Sequence, residues 1–220
     1  MSARKRVTLF CGHYGSGKTN VAVNYALSLR RQGLPVTLAD LDVVNPYFRS
    51  RDSEETLRAA GVEVLALPFA NSNVDLPALP SEVYGLVQRR DTYAVLDIGG
   101  DDRGALALGR FAPYILAEND FEMLCVVNFY RPLTRTPEEA LSALREIAAA
   151  TSIPFTGIVN DSNVGRETAA DDVRATFPLA AALSRLSGLP LRFTAVRRAL
   201  APALAGETAL LPVDLQPLPF

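Results

Sequence analysis

A run of eight residues near the N-terminus has the residue types and the spacing that bind phosphate. The run Gly12–Thr19 reads GHYGSGKT and fits the pattern G-x-x-x-x-G-K-[ST] at every fixed position. Its glycines allow the backbone to curl until successive N–H groups point inward at an anion. Lys18 would supply a positive charge to the β- and γ-phosphates of a nucleotide, and the Thr19 hydroxyl would bind Mg²⁺.

The position of this run between a strand and a helix strengthens the prediction. The apolar run Val7–Cys11 precedes it, and a helix-like stretch follows it. The positive end of that helix would add to the anion site. The residues predicted to contact the nucleotide lie in the run and directly after it: Gly12, His13, Gly15, Ser16, Gly17, Lys18, Thr19 and Asn20.

Carboxylates end two apolar segments downstream of the phosphate loop. Asp40 and Asp42 end one segment, and Asp97 ends another. If both segments are parallel strands, their carboxyl ends meet at the sheet edge beside the loop. Carboxylates there would hold Mg²⁺ through its waters and orient an attacking water. We therefore predict a metal set of Thr19, Asp40 and Asp97. The predicted catalytic set is Lys18, Asp40 and Asp42.

Two further features of this region have alternative explanations. Gly100 follows Asp97 by three residues, where a flexible backbone would sense the γ-phosphate. The alternative for Asp40, Asp42 and Asp97 is that these acids cap loops or helices. The segment Asn45–Arg51 combines aromatics with arginines, which favours contact with a protein partner. The alternative is an aromatic plug beneath a loop, with solvated arginines.

Strands and helices alternate along the chain and would position these residues. Short apolar runs predict strands at Val7–Cys11, Val36–Asp40, Val62–Leu67, Tyr93–Ile98, Met123–Asn128, Phe155–Asn160 and Leu191–Thr194. Helical patterns lie at Lys18–Gln32, Ser81–Arg90, Thr136–Ala150 and Glu167–Leu186, with Ser81 and Thr136 as N-caps. The alternation predicts an α/β fold with a mostly parallel central sheet and helices on both faces, in three layers.

Composition excludes several classes of function. The 220 residues predict one domain, 1–220, and the formal net charge of −2 gives no reason to expect a nucleic-acid partner. Cys11 and Cys125 lie in apolar runs and are expected to be buried, and with the single histidine they offer no Cys/His metal motif. We find neither a membrane span nor an amphipathic anchor, so we expect a soluble, cytoplasmic protein.

Taken in order, these motifs resemble the MinD/ParA-type branch of the P-loop NTPases, also called the CobQ/CobB/MinD/ParA nucleotide-binding group. The resemblance covers about the whole chain and rests on four segments: Gly12–Thr19, Asp40–Arg49, Asp97–Gly100 and Gly157–Asn160. It implies that Lys18 and Thr19 are the Walker A lysine and magnesium threonine. It also implies that Asp40 and Asp42 are switch I acids and that Asp97 is the Walker B acid.

The resemblance also implies ATP as the nucleotide. Asn160 matches an asparagine that reads the adenine edge, and a carboxamide both donates and accepts, as that edge requires. The run Asn160–Asn163 lacks the lysine of the Asn-Lys-x-Asp motif that is common in GTPases. A strand-end turn residue is the alternative for Asn160.

One departure from the family pattern affects the expected mechanism. His13 stands where the family has a lysine that reaches across a nucleotide-dependent homodimer, and Tyr14 replaces the following glycine. The loop is also similar to that of nickel-insertion GTPases. The leading hypothesis is a slow ATPase that acts as a switch on a protein partner. The alternatives are an ATP-dependent small-molecule kinase or amide-forming synthetase, and a GTP-dependent metallochaperone.

Overall fold

Short apolar segments form one parallel sheet in the computed structural model, which describes residues 4–41, 51–66, 81–99 and 102–215. Within these residues the sheet has eight strands: β1 Val7–Cys11, β2 Val36–Leu41, β3 Glu63–Ala66, β4 Tyr93–Ile98, β5 Phe121–Val127, β6 Gly157–Asn160, β7 Leu191–Arg197 and β8 Leu210–Val213. Their order is β3-β2-β4-β1-β5-β6-β7-β8, and neighbouring strands run parallel. The sheet includes strands from both sides of residues 67–80.

Helices connect the strands, as parallel pairing requires. The described α-helices are α1 Lys18–Arg31, α2 Arg51–Ala59, α3 Ser81–Gln88, α4 Asp102–Glu118, α5 Pro137–Thr151 and α6 Ala170–Ser187. Short 3₁₀ turns lie at Gly165–Glu167 and Arg198–Leu204.

Two apolar cores cover the two faces of the sheet. One contains buried side chains of α3, α4, α5 and α6, including Phe111 and Leu183. The other contains those of α1 and α2, including Val21 and Leu57. Because helices pack on both faces, the predicted three-layer α/β/α fold with a parallel central sheet is confirmed.

The predicted start of α5 is also confirmed. The backbone N–H of Glu139 donates to Thr136 Oγ1 over 3.2 Å, and the Thr136 N–H donates to Glu139 Oε2 over 3.3 Å. Pro137 occupies the first position of the helix. A cap of this kind is worth about 0.5–2 kcal/mol.

Both cysteines are buried strand residues, as predicted. Cys11 on β1 and Cys125 on β5 are register partners and line the same core. Burial raises the pKa of the Cys125 thiol, so this thiol remains protonated at neutral pH.

The structure contains elements that the pattern does not predict. Helix α2 is rich in polar residues, and β8 includes Pro212. Proline is tolerated in β8 because this strand lies at the edge of the sheet, where one side of its backbone needs no strand partner. Strand β7 extends to Arg197, three residues beyond the predicted end at Thr194.

Candidate functional site

The phosphate loop joins β1 to α1 at the carboxyl edge of the sheet. Strand β1 lies between β4 and β5. Asp97 on β4 is the register partner of Phe10 on β1, and Asp40 on β2 is in turn the register partner of Asp97. The structure therefore brings both predicted carboxylates together, at the level where the loop begins. Both are buried, with 3% of Asp40 and 0% of Asp97 exposed.

Gly12 lies too close to the neighbouring strand for any side chain. A Cβ atom at this position would lie 2.3 Å from the backbone oxygen of Val126 and 2.8 Å from Ser16 Oγ. The start of the loop thus packs directly against β5. This contact explains the first glycine of the pattern by close backbone approach, because Gly12 does not have a positive φ.

Gly15 and Gly17 instead serve the curvature of the loop. Their φ angles are 76° and 88°, in the left-handed region that favours glycine. The Ser16 N–H donates to the His13 backbone oxygen over 3.0 Å and closes a turn within the loop. Gly17 then precedes the first residue of α1.

The loop as formed fits a phosphate group. The Ser16 hydroxyl is buried and has no hydrogen-bond partner among the described residues. A bound anion would provide such a partner, and the positive end of the α1 dipole, which adjoins the loop, favours an anion there. Lys18 is 8% exposed at the start of α1, next to the loop. These features match the donor set that polyphosphate binding requires.

The remaining predicted loop residues occupy more open positions. His13, Thr19 and Asn20 are half-buried, and Tyr14 is 72% exposed. Asn24 Nδ2 donates to the Asn20 backbone oxygen over 2.9 Å and to Asn20 Oδ1 over 3.3 Å. Asp42 and Gly100 lie outside the described residues, as does all of the Asn45–Arg51 segment except Arg51.

Asn160 is committed to contacts within the protein. Its Nδ2 donates to Thr176 Oγ1 over 2.9 Å, and its Oδ1 accepts from the N–H and the hydroxyl of Ser162. The residue is 0% exposed. In this arrangement the carboxamide orders the turn after β6, and its role in reading a base stays a prediction.

Asp161, which sequence analysis did not select, faces the phosphate loop. Its Oδ2 lies 1.8 Å from where a Cβ on Gly17 would be, so the carboxylate packs against the start of α1. The residue is 3% exposed. Burial raises the pKa of Asp161 well above its ordinary value.

We expect the variant Asp161→Asn to be more stable than the wild type at neutral pH. Because the folded-state pKa of Asp161 is raised, the wild type has its full stability below the unfolded-state pKa of this group. It loses stability as pH rises through the folded-state pKa. The amide cannot ionise, so the advantage of the variant should disappear toward about pH 4. Thermal melts between about pH 4 and about pH 8 test this, and each kcal/mol should shift Tm by roughly 2–4 °C.

The control for this prediction is Asp91→Asn. The Asp91 side chain is 78% exposed and lies before β4, at the opposite edge of the sheet. Its replacement should change Tm little at any pH. Equal Tm values for wild type and Asp161→Asn across the whole range would contradict the inferred cost of burying this carboxylate.

Arg131 is a second residue near the loop that sequence analysis did not select. It lies between β5 and α5, and its Nε donates to the Gly15 backbone oxygen over 3.2 Å. Nothing in the sequence marks it, because its approach to the loop depends on the pairing of β1 with β5.

Comparison with known proteins finds similarity in structure alone. No protein-family model matches the chain. No curated protein matches it in sequence. Chloroplast FtsY from Physcomitrella patens superposes with a TM-score of 0.60 at 17% identity, over 88% of this chain and 59% of that chain.

Two other solved structures show the same similarity. The signal recognition particle receptor FtsY from Elizabethkingia anophelis, solved in complex with GDP, gives a TM-score of 0.58 at 16% identity, over 89% of this chain and 58% of that chain. The cell division protein FtsY from Thermotoga maritima gives 0.55 at 18%, over 89% and 63%. This chain thus spans about three-fifths of the length of those proteins. At these identities the similarity shows the fold alone, a three-layer arrangement of helices around a parallel sheet.

None of the helices that the structure describes is long and apolar enough to cross a membrane.

Proposed function

We propose that this chain binds a nucleoside triphosphate with Mg²⁺ and hydrolyses it slowly, as a switch that acts on a protein partner. The observation that carries the proposal is the loop Gly12–Thr19, in which backbone packing and positive φ angles require glycine at three positions. The loop lies beside two buried carboxylates at the carboxyl edge of a parallel sheet, where such folds bind ligands.

Each residue of the site has a proposed role. The loop N–H groups and Lys18 bind the phosphates, and Thr19, Asp40 and Asp97 would hold Mg²⁺. The ion, when bound, would offset negative charge on the phosphates. Asp40 would orient the attacking water as the phosphoryl group is transferred.

ATP is the first candidate nucleotide, because the run Asn160–Asn163 lacks the lysine of the Asn-Lys-x-Asp motif. GTP is the second candidate, since one structural neighbour was solved with GDP.

The MinD/ParA-type branch remains our more specific proposal within the P-loop NTPases. We also propose Asn45–Arg51, which follows the switch I acids, as the partner-binding segment. A nucleotide-dependent homodimer involving His13 is part of the same proposal.

Calorimetric titration of the wild type with ATP·Mg²⁺ and with GTP·Mg²⁺ tests this function. We expect binding of a triphosphate, tighter for ATP, together with slow release of phosphate. Tighter binding of GTP would replace ATP in the proposal. The absence of binding to either nucleotide would refute it.

We expect Asp40→Asn to slow hydrolysis far more than it weakens binding. A carboxylate that orients water acts mainly in the transition state, so kcat should fall by roughly 10²-fold or more while Kd changes little. Single-turnover phosphate release and titration measure the two effects separately. Asp42→Asn should behave in the same way, and Asp91→Asn is the unaffected control. Normal turnover by both site variants would remove these acids from the mechanism.

A further inference from the structure

We propose that Arg131 is a second cation of the phosphate site, donating to the β- and γ-phosphates of the bound nucleotide from the loop between β5 and α5. This inference rests on the proposed function and adds a phosphate contact to it. The ligand class is a nucleoside di- or triphosphate.

The side chain of Arg131 lies against the middle of the phosphate loop. Its Nε donates to the Gly15 backbone oxygen over 3.2 Å. The Nε, Cδ and Cζ atoms lie 3.6, 3.8 and 3.9 Å from where a Cβ on Gly15 would be. Because Gly15 is exposed and carries no side chain, nothing on that residue separates the guanidinium from the rim of the loop.

The backbone of Arg131 is held in a closed turn. Its N–H donates to the Asn128 backbone oxygen over 3.1 Å, and its own backbone oxygen accepts from the Thr134 N–H over 3.3 Å. The buried Thr134 hydroxyl donates to the same Asn128 oxygen over 2.7 Å. Asn128 Nδ2 further ties this turn to the loop after β6 through the Asn163 backbone oxygen. The cation is therefore presented from an ordered support.

The guanidinium has donors left for an anion. Arginine carries five N–H donors, and among the described residues Arg131 uses one side-chain donor, on Gly15. Over the same residues it forms no ion pair, whereas Arg174 and Arg198 each pair with a carboxylate. A planar guanidinium matches phosphate oxygens with two parallel hydrogen bonds. Lys18 at the start of α1 and Arg131 at the rim of the loop would together bind the phosphate chain.

Titration of nucleoside mono-, di- and triphosphates against matched variants tests this role. We expect Arg131→Ala to raise the Kd of the triphosphate by roughly tenfold or more, the scale of a lost hydrogen bond to a charged group. The loss should shrink for the monophosphate, and Arg131→Lys should lose less because it keeps a charge. Arg135→Ala removes an exposed arginine from the same connection and should bind like the wild type.

Several outcomes would overturn the assignment of Arg131. Wild-type affinity in Arg131→Ala, with binding abolished in Lys18→Ala, would leave the proposed function standing and refute this role. An equal loss for mono- and triphosphate would show that Arg131 acts by supporting Gly15. If the wild type bound no nucleotide, the proposed function itself would fail. The melting temperature of each variant shows whether it is folded, so that unfolding is excluded as the cause of a lower affinity. If Arg131→Ala does not fold, Arg131→Lys is the milder substitution to compare.

Discussion

Gly12→Ala is expected to destabilise the protein by about 1–3 kcal/mol, the range for overpacking a tight core. The new Cβ would lie 2.3 Å from the Val126 backbone oxygen, and a real contact of that length does not occur. Because the clashing atom belongs to the backbone of a central strand, the clash cannot be relieved by a side-chain rotation. Relief requires a shift between β1 and β5 at the point where the phosphate loop begins, so nucleotide affinity should fall as well.

Gly85→Ala is the matched control for this substitution. Gly85 lies inside α3, and among the described residues beyond its own helix turn a Cβ there would meet no atom within 4 Å. Alanine favours the helix over glycine, so this variant should gain about 0.5–1 kcal/mol. Urea denaturation of both variants gives the comparison. A Gly12→Ala protein as stable as the wild type would show that the strands separate more easily than the packing indicates.

The phosphate loop and the sheet were predictable because both depend on local patterns. The spacing of glycines, lysine and threonine in Gly12–Thr19 defines the loop without knowledge of distant contacts. Buried parallel strands appear as continuous apolar runs, and β1 and β4 have the predicted bounds. The capping box at Thr136 is likewise a local signal.

The residues that sequence reasoning missed owe their positions to tertiary structure. Asp161 reaches Gly17 because β6 and β5 pair in register and carry the turn after β6 toward α1. Arg131 lies in the connection after β5, and it reaches Gly15 in the connection after β1 because these two strands pair. An aspartate or arginine in a loop has many ordinary roles, so neither residue type nor spacing selects these two.

Asn160 is a different case: its position at the end of a strand predicts that it reads a base, but its side chain hydrogen-bonds to Thr176 and Ser162 within the protein. The predicted position at the end of β6 is confirmed. The direction of the carboxamide was not predictable, because it depends on Thr176, which is brought close by α6. A contact between residues sixteen apart in sequence is not visible in a strand pattern.

Removing the charge of Lys18 is the most direct test of the claim that this loop binds nucleotide phosphates. Two variants remove this charge: Lys18→Ala, and Lys18→Met, which keeps an unbranched side chain of similar length. Each should lower triphosphate affinity by roughly a hundredfold or more. Lys5→Ala removes the only other lysine of the sequence, which is half-buried and precedes β1 at the far edge of the sheet, and should bind normally. Calorimetric titration with ATP·Mg²⁺ and GTP·Mg²⁺, alongside circular dichroism to verify folding, is the measurement. We expect tight binding by the wild type and Lys5→Ala, and binding weakened by roughly a hundredfold or more in the folded Lys18 variants. Undiminished binding by those variants would contradict it.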